Sequence, residues 1–244
     1  MKTLRTPLFA LVLLLAFACK DDGTATTAVA NDEAAEMTAT SISFNSGGMT
    51  SAIDDATVTT KANGSARTNA CGYSESIDAA KSNVAGASIT YAFNYHYDYA
   101  LTCTTAVPTT MTANMSYTGS LDAPRMSAQS TGTGALSVKT LDTSFNYFTI
   151  NGSYNRSGTF VSKVRNTNTS NSTVTFVLTD VTVDKTSRMI TGGTAAVNIT
   201  GSVTGKGDFS YSGSLVFKGS KQGELDINGT KYSVNLETGD VTSL

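Results

Sequence analysis

The chain has 244 residues and a formal net charge of −2, with 15% charged residues and no cluster of Lys or Arg. That length suits one large or two small domains with an ample core, and the mildly acidic balance speaks against a nucleic-acid partner. Ser and Thr supply more than a quarter of the sequence, whereas one His and three Cys leave little to hold a metal.

Lys2 and Arg5 precede an apolar stretch, Leu8 to Ala18, of the length a secretory signal needs. A helical span of a bilayer takes about 20 apolar residues, so this stretch is too short to cross one. It ends on Ala16-Phe17-Ala18-Cys19, followed by Lys20-Asp21-Asp22. The arrangement resembles the signal of bacterial lipoproteins, in which residues 1–18 are removed and Cys19 becomes the acylated first residue. Ala18 fits the small residue required before the cysteine, while Phe17 and Ala16 depart from the usual small residue and Leu. Lys20, Asp21 and Asp22 resemble the surface-export signal of Bacteroidota lipoproteins. The resemblance implies a protein held by palmitate-like chains in the outer membrane and displayed at the cell surface. Several acyl chains, at roughly 0.8 kcal/mol per buried methylene, anchor stably where one does not.

Residues 19–40 read as the lipidated cysteine and a flexible tether. Gly23 to Met37 offers no large apolar residue beyond Val29 and Met37, and its root-mean-square reach is about 20 Å. Residues 41–87 are ambiguous. Ile42 and Phe44 fit the start of one strand and Ala56 to Thr60 another, with Gly47-Gly48 and Asp54-Asp55 between them. Ile77, Ala80 and Val84 fall at helical spacing and predict a short helix over Ser74 to Ala85.

From Ser88 the period becomes 2. Ile89, Tyr91, Phe93, Tyr95, Tyr97, Tyr99, Leu101 and Cys103 share one face of a predicted strand, and the polar residues between them share the other. Met111 to Leu121 repeats the alternation. Shorter strands are expected at Gly134 to Lys139, Phe148 to Arg156 and Thr159 to Arg165. Further strands run around Val174 to Leu178, Ala195 to Val203 and Phe209 to Phe217, with turns at Asp184 to Arg188 and Gly205 to Asp208. Asn228-Gly229 is a two-residue hairpin turn, since both central residues must accept positive φ. It pairs Ile227 with Thr230, Asp226 with Lys231 and Leu225 with Tyr232, placing opposite charges together on one face.

Connections this short make neighbours antiparallel. The predicted fold is therefore all-β: an antiparallel meander over residues 88–244, curled into an open barrel or a two-layer sandwich. Gly119, Gly152, Gly201 and Gly213, within strands, permit tight coiling. The Thr-rich strands (FTINGSYNRSGTF, TFVLTDVTVDK, FSYSGSLVF) are similar to those of uncharacterised Bacteroidota lipoproteins, and that similarity implies no particular activity.

With Cys19 lipidated, Cys71 and Cys103 remain, and an oxidising compartment favours their pairing. Closing that loop contributes roughly 3 to 4 kcal/mol; a zinc site is the alternative, disfavoured by the lone His. That residue, His96, has Asp98 on the same face, but neighbours at i and i+2 share a face by pleat alone. No G-x-S-x-G elbow or Asp-rich calcium loop occurs, and the acidic residues lie mostly at turns or on outward faces. The expectation is a non-enzyme without metal or cofactor. Tyr91, Phe93, Tyr95, Tyr97 and Tyr99 either pack in the core or line a site. Against the core stands the need of every buried hydroxyl for a partner. The expected role is a non-catalytic structural or interaction lipoprotein, whose protein, lipid or glycan partner is not legible; the alternative is a binding module for a lipid or glycan using the aromatic strand 89–101.

Overall fold

A computed structural model describes residues 29–64, 71–83, 86–164 and 167–244. Two helices come first, α1 (Asn31–Ile42) and α2 (Met49–Gly64), joined through a 3-10 turn at Phe44–Ser46. Eleven strands follow: β1 (Ser74–Ser82), β2 (Thr90–Thr104), β3 (Val107–Asp122), β4 (Met126–Lys139), β5 (Tyr147–Ser162), β6 (Thr169–Asp184), β7 (Ile190–Val203), β8 (Gly207–Gly219), β9 (Gln222–Ile227), β10 (Thr230–Asn235) and β11 (Val241–Ser243). The strands lie in sequence order in one sheet, each antiparallel to the next. This is the expected meander, and β1 and β11 remain its two unjoined edges.

The sheet is strongly curled, and the helices lie inside the curl. The Tyr95 hydroxyl on β2 donates to the Gly47 carbonyl at 2.9 Å, and Phe44 N–H donates to the Leu236 carbonyl just after β10, also at 2.9 Å. In a flat sheet β2 and β10 would stand about 38 Å apart, at roughly 4.8 Å per strand. A single short segment reaches both, so the two ends of the sheet wrap round it. The corner depends on glycine twice. Gly47 adopts the left-handed region at φ 63°, and a Cβ on Gly48 would lie 2.5 Å from the Ser41 carbonyl.

Four local expectations are corrected. The tether reading fails from Asn31 onward, where α1 begins: Asp32 and Glu33 favour its positive end, and Ala34, Ala35, Met37, Ala39 and Ile42 are buried against the sheet. The strands expected at Ile42-Phe44 and Ala56 to Thr60 are helical instead. Tertiary packing overrides the β-branched run, and Thr57 and Thr60 satisfy their buried hydroxyls on the carbonyls of Asp54 (2.8 Å) and Ala56 (2.7 Å). The helix expected over Ser74 to Ala85 is instead strand β1, because the edge of the long β2 offers a ladder and Ile77 and Ala79 turn onto its apolar side; residues 84 and 85 are outside the described set. The separate strands at Phe148 to Arg156 and from Thr159 are one, β5.

The final hairpin follows its predicted register. Thr230 faces Ile227, Lys231 faces Asp226 and Tyr232 faces Leu225, with Asn228 and Gly229 at φ 49° and 84°. The N-terminal segment is fastened to this end: Asn31 donates to Thr230 Oγ1 at 2.9 Å, and the Tyr232 hydroxyl donates to Asp32 at 2.8 Å.

Candidate functional site: the tyrosine row beneath helix α2

Along β2 every second side chain points inward, which lines up Tyr91, Phe93, Tyr95, Tyr97 and Tyr99. Phe93 is 1% exposed and the tyrosines at 95, 97 and 99 are each 4% exposed, while Tyr91 at the end is half-buried. Their rings stack: Tyr95 on Tyr97 at 5.6 Å between centroids and 17°, Tyr97 on Tyr99 at 5.6 Å and 8°. The row is therefore core, and the cost of its hydroxyls is met by α2 and the corner before it. Tyr95 donates to Gly47, and Tyr97 donates to Asp55 Oδ2 at 2.6 Å. Thr59 lies beside the Tyr99 hydroxyl, and Asn63 donates to the Tyr73 hydroxyl at 3.2 Å.

The match is geometric. Two strand residues advance about 6.7 Å, and four helix residues advance about 6 Å. Asp55, Thr59 and Asn63 thus form one polar stripe on α2 that keeps step with the tyrosines. Lys81 of β1, on the inner side of its strand, closes the arrangement by an ion pair to Asp55, and its ammonium lies 5.4 Å from the Tyr95 ring centroid.

These surroundings hold the phenols neutral. Burial, with the Asp55 charge and hydrogen bond behind it, pushes Tyr97 far above the ordinary phenol value. Burial likewise raises Tyr95, and it takes Tyr99 up to about 12, with Thr59 pulling the other way. Protonated phenols of this kind donate hydrogen bonds. Asp54, next to Asp55, is raised by burial against the pull of Arg188 3.6 Å away.

A second feature lies deeper. Arg156 of β5 is wholly buried, and its donors go to neutral oxygens: Ser130 Oγ at 3.2 Å, the Thr40 carbonyl at 3.0 Å and the Ser46 carbonyl at 3.3 Å. Thr40 lies in the last turn of α1, which has no basic residue of its own. The guanidinium therefore meets the negative end of that helix, where it shares the Thr40 carbonyl with the Ser46 hydroxyl. Its Cζ also lies 4.9 Å from the Phe93 ring centroid.

Sequence reading located the tyrosine row but missed Asp55, Lys81 and Arg156. A signal existed for each: Asp55, Thr59 and Asn63 recur at i, i+4 and i+8, and Arg156 falls on the inward parity of Tyr154 and Phe160. Cys71 and Cys103 are joined as expected, with their Cα atoms 5.7 Å apart. His96 is on the outer face. Its Nδ1 is 2.7 Å from Asp78 Oδ1, and its Nε2 is 3.3 Å from Ser76 Oγ and 3.5 Å from Asp98 Oδ2. The structure thus brings it to Asp78 across the strand pair more closely than to Asp98. Cys19, Lys20, Asp21 and Asp22 lie outside the described residues. No protein-family model matches the chain, no curated protein matches its sequence, and no solved structure matches its fold.

Proposed function

We propose that this protein is a lipid-anchored lipoprotein of the outer membrane, exposed at the cell surface, with a non-catalytic structural or interaction role. The anchor rests on the order of the N-terminal residues: a basic start, an apolar stretch, then Ala18-Cys19 and Lys20-Asp21-Asp22. The role rests on one observation above all, the pairing of Tyr95 and Tyr97 with Gly47 and Asp55. The aromatic strand that offered a ligand site is engaged by the protein's own helix, so a cleft along 89–101 would require α2 to leave. What the domain presents outward is a broad sheet face of Ser, Thr and Asn side chains.

Cell fractionation with metabolic lipid labelling tests the anchor. Cys19→Ala is expected to lose the label and leave the membrane fraction or persist unprocessed; label retained on that variant would overturn the anchor. Replacing Lys20, Asp21 and Asp22 together by Ala should keep the label and remove accessibility to protease added to whole cells. Undiminished accessibility would overturn surface export.

A further inference from the structure

The two edges of the sheet are unequal. β11 offers three residues, Val241–Ser243, whereas β1 runs for nine, Ser74–Ser82, and pairs with β2 without a bulge. The Tyr73 carbonyl accepts from Leu101 N–H at 2.9 Å, so Tyr73 and every second residue after it direct their backbone groups to β2. The N–H and C=O groups of Ser74, Ser76, Asp78, Ala80 and Ser82 therefore point away from the sheet. Among the described residues no backbone group bonds to them. Proline and a bulge, two devices that blunt a long edge, are both missing from β1.

Inward charge is a third such guard, and here it has its complement in the same strand. The inner side of β1 reads Glu75, Ile77, Ala79, Lys81, opposite Tyr99, Tyr97, Tyr95 and Phe93 of β2. Turned about a two-fold axis at Asp78, a second β1 lies antiparallel to the first. Glu75 then faces Lys81 of the second copy, Ile77 faces its Ala79, and each contact occurs twice. The same rotation brings the outward backbone groups of Ser76 and Ala80 together. Cβ atoms across such a pair are about 5 Å apart, within reach of Glu and Lys side chains. Lys81 keeps its ion pair to Asp55, and its side chain is still 28% exposed. Sliding one copy by two residues leaves Glu75 facing Ala79 or Asn83, and both new ion pairs are lost.

We propose that two copies of this protein associate through β1, joining their sheets by antiparallel pairing about Asp78. A second copy is favoured over a foreign strand because β1 is complementary to itself in charge and in apolar contact. β11 is too short to supply the facing edge, so the contact is isologous and closes as a dimer. The inference gives the interaction role a partner, and it stands on β1 and not on the anchor.

On the outer side the two Asp78 carboxylates meet at the axis, where like charges oppose pairing. Each lies 2.7 Å from His96 Nδ1 of its own copy. Asp98, 3.5 Å from Nε2, is the other ionisable group facing that ring, and β3 presents Ser116 across from it. A charged imidazole brings a counter-charge into the contact, and a neutral one leaves the carboxylates to repel. The dimer should therefore be tighter near pH 5.5 than near pH 8.5, by roughly threefold for unit charges about 6 Å apart in water.

Sedimentation equilibrium of the purified full-length protein, in detergent matched in density to the buffer, reads the association directly. The mass is expected to rise from monomer to dimer by about 100 μM at pH near 5.5. Asp78→Asn should tighten the dimer and remove its pH dependence. Ala80→Pro deletes an N–H that faces away from β2, a strand position that tolerates proline. It should melt like the parent and dimerise roughly tenfold or more weakly. Under oxidation Ser76→Cys/Ala80→Cys should form a disulfide-linked dimer, since these residues face one another at about 5.5 Å between Cα atoms. Neither single variant should link beyond the parent. The proposal is overturned by a monomer throughout, by pH dependence retained in Asp78→Asn, by parental dimerisation of a folded Ala80→Pro, or by a double-cysteine variant that links no better than its singles. Should Ala80→Pro fail to fold, the cross-link decides. The outcome is independent of lipid labelling at Cys19, so neither result stands in for the other.

Discussion

The inner face of the sheet is made of two chemistries. From β2 to β5 a band of rings and hydroxyls, Phe93, Tyr95, Tyr97, Tyr99, Tyr117 and Tyr154, runs among buried Leu and Met side chains and is roofed by the polar stripe of α2. From β6 to β10 it is mainly aliphatic, with Val174, Val181, Val197, Ile199, Leu215, Leu225, Ile227 and Val234 buried; α1 lies over β5, β6 and β9 to β11. The aliphatic half is held by non-directional burial, which tolerates small shifts. The ring half depends on its hydroxyls meeting partners, because a buried unpaired one costs about 1 to 3 kcal/mol, and Tyr154 is the exception there. The first half thus fixes where α2 must sit, and the second supplies stability that depends mostly on volume.

Arg156 stands where the two halves meet, and it offers the largest test of the distinction. Arg156→Met keeps much of the side-chain bulk but leaves the Thr40 and Ser46 carbonyls without their guanidinium donors. Urea unfolding should show a loss of about 1 to 3 kcal/mol for each buried acceptor left without a donor. For comparison, Ile199→Val in the aliphatic half should cost about 0.5 to 1.5 kcal/mol. An Arg156→Met loss no larger than that would erase the boundary drawn here.

Within the ring half, two removals of a single oxygen should have opposite signs. Tyr97→Phe deletes a 2.6 Å hydrogen bond to a carboxylate and should destabilise by about 1.5 to 3 kcal/mol, as bonds to charged groups do. The Tyr154 hydroxyl, equally enclosed, makes no hydrogen bond of good geometry among the described residues, although the Tyr117 hydroxyl, itself donating to the Asn155 carbonyl, lies beside it. Tyr154→Phe should therefore stabilise, by about 1 kcal/mol. Equal effects of the two variants on the denaturation midpoint would mean that hydroxyl pairing does not set the energetics of this face.

The same contrast explains what could be read from the sequence. The aliphatic hairpins announce themselves, since period 2 and an Asn228-Gly229 turn leave one register that puts apolar groups together. The tyrosine row was equally visible as a strand. Its covering was not, because α2 carries Thr57, Val58, Thr59 and Thr60, residues of strand preference whose helical state depends on the sheet beneath. α1 was hidden for the opposite reason: its buried face is mostly Ala, Ser and Thr, too small to stand out in an apolar count. The lone histidine was placed on the correct strand, but its nearest acid comes from β1, whose pairing the helical spacing of Ile77 and Ala80 concealed.

That histidine gives the smallest effect and the sharpest contrast with the buried phenols. His96 is on the solvent side of the same strand, directly across from Asp78. The Asp78 hydrogen bond raises its pKa above the ordinary 6.5; slight desolvation opposes this and the Asp98 charge adds to it. A folded-state value above the unfolded one means the ion pair contributes fully below about pH 6.5 and fades as pH rises through the folded pKa. Both partners are exposed, so the melting temperature is a poor readout and the titration itself is the measurement. With a single His in the chain, the imidazole proton shifts in NMR need no assignment. Their midpoint should lie above 6.5 and fall toward it in Asp78→Asn, with a smaller fall in Asp98→Asn. A midpoint unmoved by Asp78→Asn would show that the outer face does not hold β1 through this pair, leaving the ladder, Lys81 and the Cys71–Cys103 bond to fasten that edge.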